Sequence, residues 1–288
     1  MLAGNCAEAL FLSSVISGPS VSSPDLVDLG IPKETNHGYH KSQMQDCYIG
    51  TSGWSYNHWQ GVLYPPKLPA VDRLRIYAQH FNTVELNSSF YHWPRQATFQ
   101  HWSDHLQAGF RLSVKAPRGL THGQRLAEPE IWLQRIQLGL DMLGEKCGVL
   151  LVQLPPDMPR DDIRLESFLN LLPSQLLVAF EFRHPSWHVK PVLALLEHHG
   201  AAYCVMSGAG LPCLPHATAP FVYIRLHGPS PNYLYAGLYS EDDLHWWAAR
   251  LYEWRASGHT CWLYFNNDAA GNAVRNAQRL KELIKGWY

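Results

Sequence analysis

The chain has 288 residues, 46% of them hydrophobic and only 16% charged, where an ordinary soluble domain carries about a quarter charged. That balance excludes a disordered chain, and 23 Lys and Arg against 24 Asp and Glu exclude a nucleic-acid binder that works by bulk charge. No run approaches the roughly 18 uninterrupted apolar residues of a transmembrane helix.

Residues 1–46 differ from the rest. They hold two cations (Lys33, Lys41) and five anions (Glu8, Asp25, Asp28, Glu34, Asp46), a net −3, which leaves 21 cations and 19 anions, +2, for the remaining 242 residues. The apolar run 9–16 has no basic flank before it, so it does not read as a secretory signal. The Ser-, Pro- and Gly-rich stretch 17–38 has neither helical nor strand period and reads as disorder. The folded unit is therefore expected to begin near Met44, with 1–46 a disordered extension or a misplaced start and 47–288 a single domain.

From Cys47 onward, short β-rich runs alternate with helical patterns. Strands are expected at 47–51, 82–87, 110–115, 148–154, 176–182, 201–206, 221–226 and 260–265. Between them, Phe99, Trp102 and Leu106 recur at helical spacing, and Leu165, Phe168, Leu169 and Leu172 make another apolar face. Ser240 with Asp243 resembles a capping box opening a helix to about Ala256. A Gly/Pro-rich stretch, 207–220, follows strand six without helical period. Eight strands and about seven helices in 242 residues predict an α/β fold, a single (β/α)₈ TIM-type barrel of eight parallel strands, with an irregular loop after strand six. A doubly wound open sheet is disfavoured because no Gly-rich phosphate fingerprint follows the first strand.

The six cysteines (Cys6, Cys47, Cys147, Cys204, Cys213, Cys261) contain no C-x-x-C pair and fit no common zinc spacing. A reduced, cytoplasmic setting is expected.

In such a barrel the active site lies where strands end, and polar residues gather there. The period of two puts Glu85 with Asn87, Glu181 with Arg183, and Arg225 with His227 on common faces. Lys115, His122, Gln153, Asn266 and Asn267 fall at or just beyond other strand ends, and Trp54 and Tyr91 adjoin them. Singly, each has a structural reading: Glu181–Arg183 as a rim ion pair, Lys115 as a salt bridge, His227 as a hydrogen-bonded core residue, the tryptophans as barrel caps. With Asp268 beyond strand eight, five strands each send an ionisable group to one end, which favours a pocket.

The sequence also resembles the domain-of-unknown-function 72, or YecE-like, family. The matching segments are IGTSGWSYNHWQG (49–61), YAQHFNTVELNSSFYHWP (77–94), FRLSVKAPRGLTH (110–122), LLVQLPP (150–156), VAFEFRHPSW (178–187), YIRLHG (223–228) and YFNNDAAGNAVRNA (264–277). They cover nearly all of 47–288 in order; residues 1–46 have no counterpart. The resemblance implies a TIM barrel and supplies no mechanism. Ser89 stands where the family usually has Thr, and Met206 where it commonly has Asp, which takes one carboxylate from the mouth.

The constellation suggests a hydrolase- or lyase-type enzyme using acid/base chemistry on a small polar, anionic substrate. Arg183, Arg225 and Lys115 are expected to hold oxyanions, Glu85 or Glu181 to act as base, His227 as acid or partner, and Lys115 to stabilise developing charge. Trp54, Asn87, Tyr91, His122, Gln153, Asn266 and Asn267 would bind or orient substrate. Three alternatives stand beside this reading: a glycoside-acting enzyme using Glu85 and Glu181, a metal-dependent phosphoester or nucleic-acid-end enzyme, and a non-catalytic anion-binding barrel. No cofactor is expected, a divalent metal being the minority reading, and neither membrane nor nucleic acid is an expected partner.

Overall fold

The structure, a computed structural model, describes residues 46–286. The reading of the first 46 residues thus falls, Asp46 apart, outside the described residues. Eight strands alternate with helices: β1 Cys47–Thr51, β2 Thr83–Leu86, β3 Arg111–Lys115, β4 Cys147–Gln153, β5 Val178–Glu181, β6 Ala202–Ser207, β7 Phe221–Leu226 and β8 Thr260–Phe265. The seven α-helices among the described residues are α1 Arg73–His80, α2 Gln96–His105, α3 Glu130–Asp141, α4 Asp162–Leu169, α5 Lys190–His198, α6 Glu241–Ala256 and α7 Asn272–Leu283. All paired strands are parallel, in the order β1-β8-β7-β6-β5-β4-β3-β2. This is the expected TIM-type barrel.

The alternation of side chains along each strand builds two cores. Tyr48, Leu151, Ala179, Cys204, Tyr223 and Tyr264 belong to a cluster filling the barrel interior. Their strand neighbours Ile49, Val84, Leu150, Phe180, Val205 and Leu263 belong to a larger layer under the helices. Phe99 of α2 and Leu165 and Phe168 of α4 are buried in that outer layer, as their spacing predicts. Ser240 and Asp243 form a capping box at the start of α6, each side chain accepting from the other's backbone N–H. The segment 208–220 holds no helix: Pro212, Pro215 and Pro220 remove backbone donors, and Leu214 is tucked into the outer core.

Closure between β1 and β2 is unlike the other seven contacts. No ladder joins them; one parallel bridge, Ser52 with Glu85, lies at the mouth. Below it the Tyr77 hydroxyl of α1 sits between the strands. It accepts from the Thr51 N–H at 3.0 Å and donates to the Thr83 carbonyl at 3.1 Å, taking the place of a ladder hydrogen bond. Gly50 permits this approach, since a Cβ there would stand 2.4 Å from the Thr83 carbonyl oxygen.

Candidate functional site

The inward positions nearest the C-terminal strand ends are Ser52, Glu85, Lys115, Glu181 and Arg225, with Cys204 and Tyr223 one layer below and Arg183, His227 and Asn266 just past the strands. At their centre Arg225 bridges two carboxylates on opposite sides of the barrel. Its Nη1 donates to Glu181 Oε2 at 2.5 Å, while Nη2 and Nε donate to Glu85 Oε1 at 2.8 and 3.2 Å. Glu85 also accepts from the Ser52 hydroxyl at 2.6 Å and the Tyr223 hydroxyl at 2.6 Å. Glu181 accepts from Arg183 Nε, and the Cys204 thiol lies 3.9 Å from its Oε2.

All three members of the Glu85–Arg225–Glu181 bridge are buried. Burial by itself would raise both carboxyl pKa values. For Glu85 the Arg225 guanidinium outweighs it, and for Glu181 the Arg183 and Arg225 guanidiniums do, so both acids are held below the ordinary value. The Cys204 thiol, buried beside Glu181, is pushed well up and stays protonated.

His227 is fully buried above this layer. Arg183 Nη2 lies 3.2 Å from its Nε2, whereas Glu181 Oε1 is 3.7 Å away, too far for a hydrogen bond. Nε2 therefore accepts from Arg183 and Nδ1 carries the proton. Asn266, 3.2 Å from Nδ1, then meets that proton with its carbonyl oxygen, an assignment of the amide orientation. Burial pushes the His227 pKa down to about 4, so the ring is neutral at pH 7.

Lys115, at the end of β3, is the unpaired ion of the mouth. Among the described residues no carboxylate lies within ion-pair distance of its Nζ, which makes no hydrogen bond and packs 4.2 Å from the centre of the Phe90 ring. Burial, aided by the Arg225 charge, pulls its pKa down to about 7 against the opposing pull of Glu181 and Glu85. His122 meets the same Phe90 ring edge-to-face, the ring centres 5.0 Å apart, and burial together with Lys115 lowers its pKa to about 4.

Of the residues singled out from the sequence, Glu85, Glu181, Arg183, Arg225, His227 and Asn266 form one connected network. Lys115 and His122 meet on Phe90. Gln153 stands beside Glu181 in the β4–β5 register, and the Asn87 Oδ1 is buried without a donor among the described residues. Tyr91, 69% exposed, also packs edge-to-face against Phe90. Trp54 and Asn267 go elsewhere. The Trp54 side chain packs in the outer core, edge-on to Trp102. Asn267 is buried, donating to the Gly237 carbonyl and to Asn276, where it ties loops together. Arg225 does not offer itself to an anion, because its donors are taken by the two acids.

Sequence reading missed Ser52, Tyr223, Cys204 and Phe90 as parts of the site. A signal existed for Tyr223, which sits two residues before Arg225 on the same strand face. Among the described residues no three His, Cys, Asp or Glu side chains converge as a metal site requires. No described helix is long and apolar enough to cross a membrane.

Comparison with known proteins agrees with the resemblance read from the sequence. The curated protein YunF of Bacillus subtilis (strain 168), named UPF0759, is 26% identical over 270 residues, covering 82% of this chain and 94% of that protein. YecE of Escherichia coli (strain K12), also UPF0759, is 28% identical over 144 residues, half of each chain. A DUF72 family protein of Thermotoga maritima MSB8 superposes with a TM-score of 0.74 at 27% identity, over 84% of this chain and all of that one. Another, from Enterococcus faecalis V583, gives 0.71 at 18% identity, over 83% and 98%, a likeness of fold. The profile of the family described as protein of unknown function DUF72 matches residues 48–286, and the chain belongs to that family.

Proposed function

We propose that the barrel mouth is the site of an enzyme acting by acid/base chemistry on a small polar substrate that carries an anionic group. The observation that carries this reading is the division of labour among the charges. Glu85, Arg225 and Glu181 satisfy one another, while Lys115 Nζ and Arg183 Nη1 retain donors with no partner among the described residues, Lys115 and the Arg183 side chain each being 7% exposed. These two cations are the groups able to take a carboxylate or phosphate. Lys115, titrating near pH 7, is poised to move a proton. Neutral His227, with its tautomer set by Arg183, fixes the orientation of that guanidinium. Asn87 Oδ1 supplies an acceptor in want of a donor, such as a substrate hydroxyl.

This assignment moves Glu85 and Glu181 from base to fixed counter-charge. It also counts against glycoside chemistry, which needs one carboxyl group protonated near neutral pH, since both acids are held ionised by guanidinium groups. Titration calorimetry with inorganic phosphate and with lactate tests the reading. Binding that weakens at least about tenfold in Arg183→Gln, with an unchanged far-ultraviolet spectrum, is the expected result. Unchanged binding in that variant would sink it.

A further inference from the structure

Lys115, which is buried, differs from the half-buried Lys146 and Lys281 in what its amine does. Lys146 Nζ donates to the Ser103 and Leu106 carbonyls, and Lys281 Nζ donates to the His80 carbonyl. Both are tethers. Lys115 Nζ has no acceptor among the described residues; it lies against the Phe90 ring, within the field of Arg225, Glu181, Glu85 and Arg183. The surrounding charges come from several elements: Arg225 on β7, Glu181 and Arg183 at the end of β5, Glu85 on β2, and His122 in the loop after β3. An amine that is desolvated, set beside fixed cations and free of any carboxylate partner is the environment of a lysine nucleophile. A merely structural lysine has an acceptor.

We propose that Lys115 is a covalent catalytic residue whose ε-amine forms an imine with a small carbonyl compound bearing a carboxylate or phosphate. This deepens the acid/base reading and rests on its anion site. The nitrogen lone pair adds to the carbonyl carbon as the C=O π pair moves to oxygen. A proton passes from nitrogen to that oxygen, giving a carbinolamine. The carbinolamine oxygen takes a second proton from solvent, the C–O bond breaks as the nitrogen lone pair forms the C=N bond, water leaves, and a protonated imine remains. The fixed carboxylates Glu85 and Glu181 favour that cation through space. Arg183 Nη1, the other available donor, holds the anionic end of the substrate.

The full chain is incubated with pyruvate or dihydroxyacetone phosphate and sodium cyanoborohydride, then analysed by intact mass and peptide mapping. Reduction of the imine adds the mass of the probe less one oxygen atom. The expected result is one adduct, on the peptide carrying Lys115, formed at least about tenfold faster at pH 7 than adducts on the exposed Lys67 and Lys190. Its rate levels off above pH 7. Lys115→Arg abolishes it, and mapping in the unmutated protein makes the assignment independent of how that variant folds. No adduct on Lys115, or labelling that merely follows exposure, overturns the proposal.

Lactate, with the carboxylate and no carbonyl, separates the two readings in a thermal-shift measurement. Stabilisation by lactate without an adduct from pyruvate leaves the anion site standing and removes the imine. An adduct without lactate stabilisation keeps the imine and removes the anion site as argued. Failure of both removes both.

Discussion

Replacing Lys115 by Met should make the protein more stable at neutral pH. The amine is almost wholly buried, and its pKa falls from 10.5 to about 7, chiefly through burial. Holding it charged in the folded state therefore costs roughly 5 kcal/mol, at about 1.4 kcal/mol per factor of ten. At pH 7 half of the amines are already neutral, and about 4 kcal/mol of that cost remains. Methionine gives up the cation–π contact with Phe90, worth about 1–2 kcal/mol, and recovers part of it as a sulfur–aromatic contact. The net gain is about 2–3 kcal/mol, or roughly 5–10 °C in Tm for a chain of this size.

The sign of the pH dependence is a second check on the same variant. Between pH 7 and 10.5 the unfolded chain binds more protons at this lysine than the folded one, so the wild-type protein gains stability as pH rises. The advantage of Lys115→Met should shrink by about 3 kcal/mol between pH 7 and pH 10. Urea unfolding at the two pH values measures it. A variant less stable than wild type at pH 7, or an advantage equal at both, would refute the picture of a lysine desolvated without a counter-ion.

Arg225→Met leaves Glu85 and Glu181 buried without their shared guanidinium and should cost about 3–5 kcal/mol at pH 7, read by urea midpoint. The loss should narrow at pH 5, where the acids can take up protons. Tyr77→Phe strands the Thr51 N–H and the Thr83 carbonyl and should cost about 1–3 kcal/mol, with faster hydrogen exchange at the Thr51 amide. His122, His188 and His227 are kept neutral down to about 4 by burial. Their contribution is complete above the ordinary histidine pKa and is lost as pH falls toward 4. Unfolding free energy should therefore drop steeply between pH 6.5 and 4; a flat profile there would count against buried neutral imidazoles.

How far the site could be read from the sequence follows from what a period of two can encode. It places Glu85, Lys115, Gln153, Glu181 and Arg225 on one face, because each sits in an unbroken strand, and the structure has all of them inward. It fails past the strand ends. Gly53 adopts φ +89, which breaks the alternation, and Trp54 swings into the helix layer. Tyr91 follows the short turn Ser88–Phe90 and is left exposed against the Phe90 ring. Asn266 continues the inward run of β8, whereas Asn267 turns away from it. Pairing across the barrel is beyond any local pattern: Arg225 reaches acids 140 and 44 positions away. From spacing alone Arg225 reads as an anion clamp; only the closed barrel reveals that its hydrogen bonds are already taken.

The unladdered seam between β1 and β2 makes barrel closure sensitive to protons. A backbone ladder is indifferent to pH over the range in which proteins fold. Here the uppermost backbone bridge, Ser52 with Glu85, is doubled by the Ser52 hydroxyl on the Glu85 carboxylate, and that carboxylate is held by Arg225, which is held in turn by Glu181. Protonating either acid loosens the stitch that joins the first stave to the second. The groups that set the field of the mouth are thus also the clasp of the cylinder, and any substitution among them must be judged by shape before it is judged by turnover.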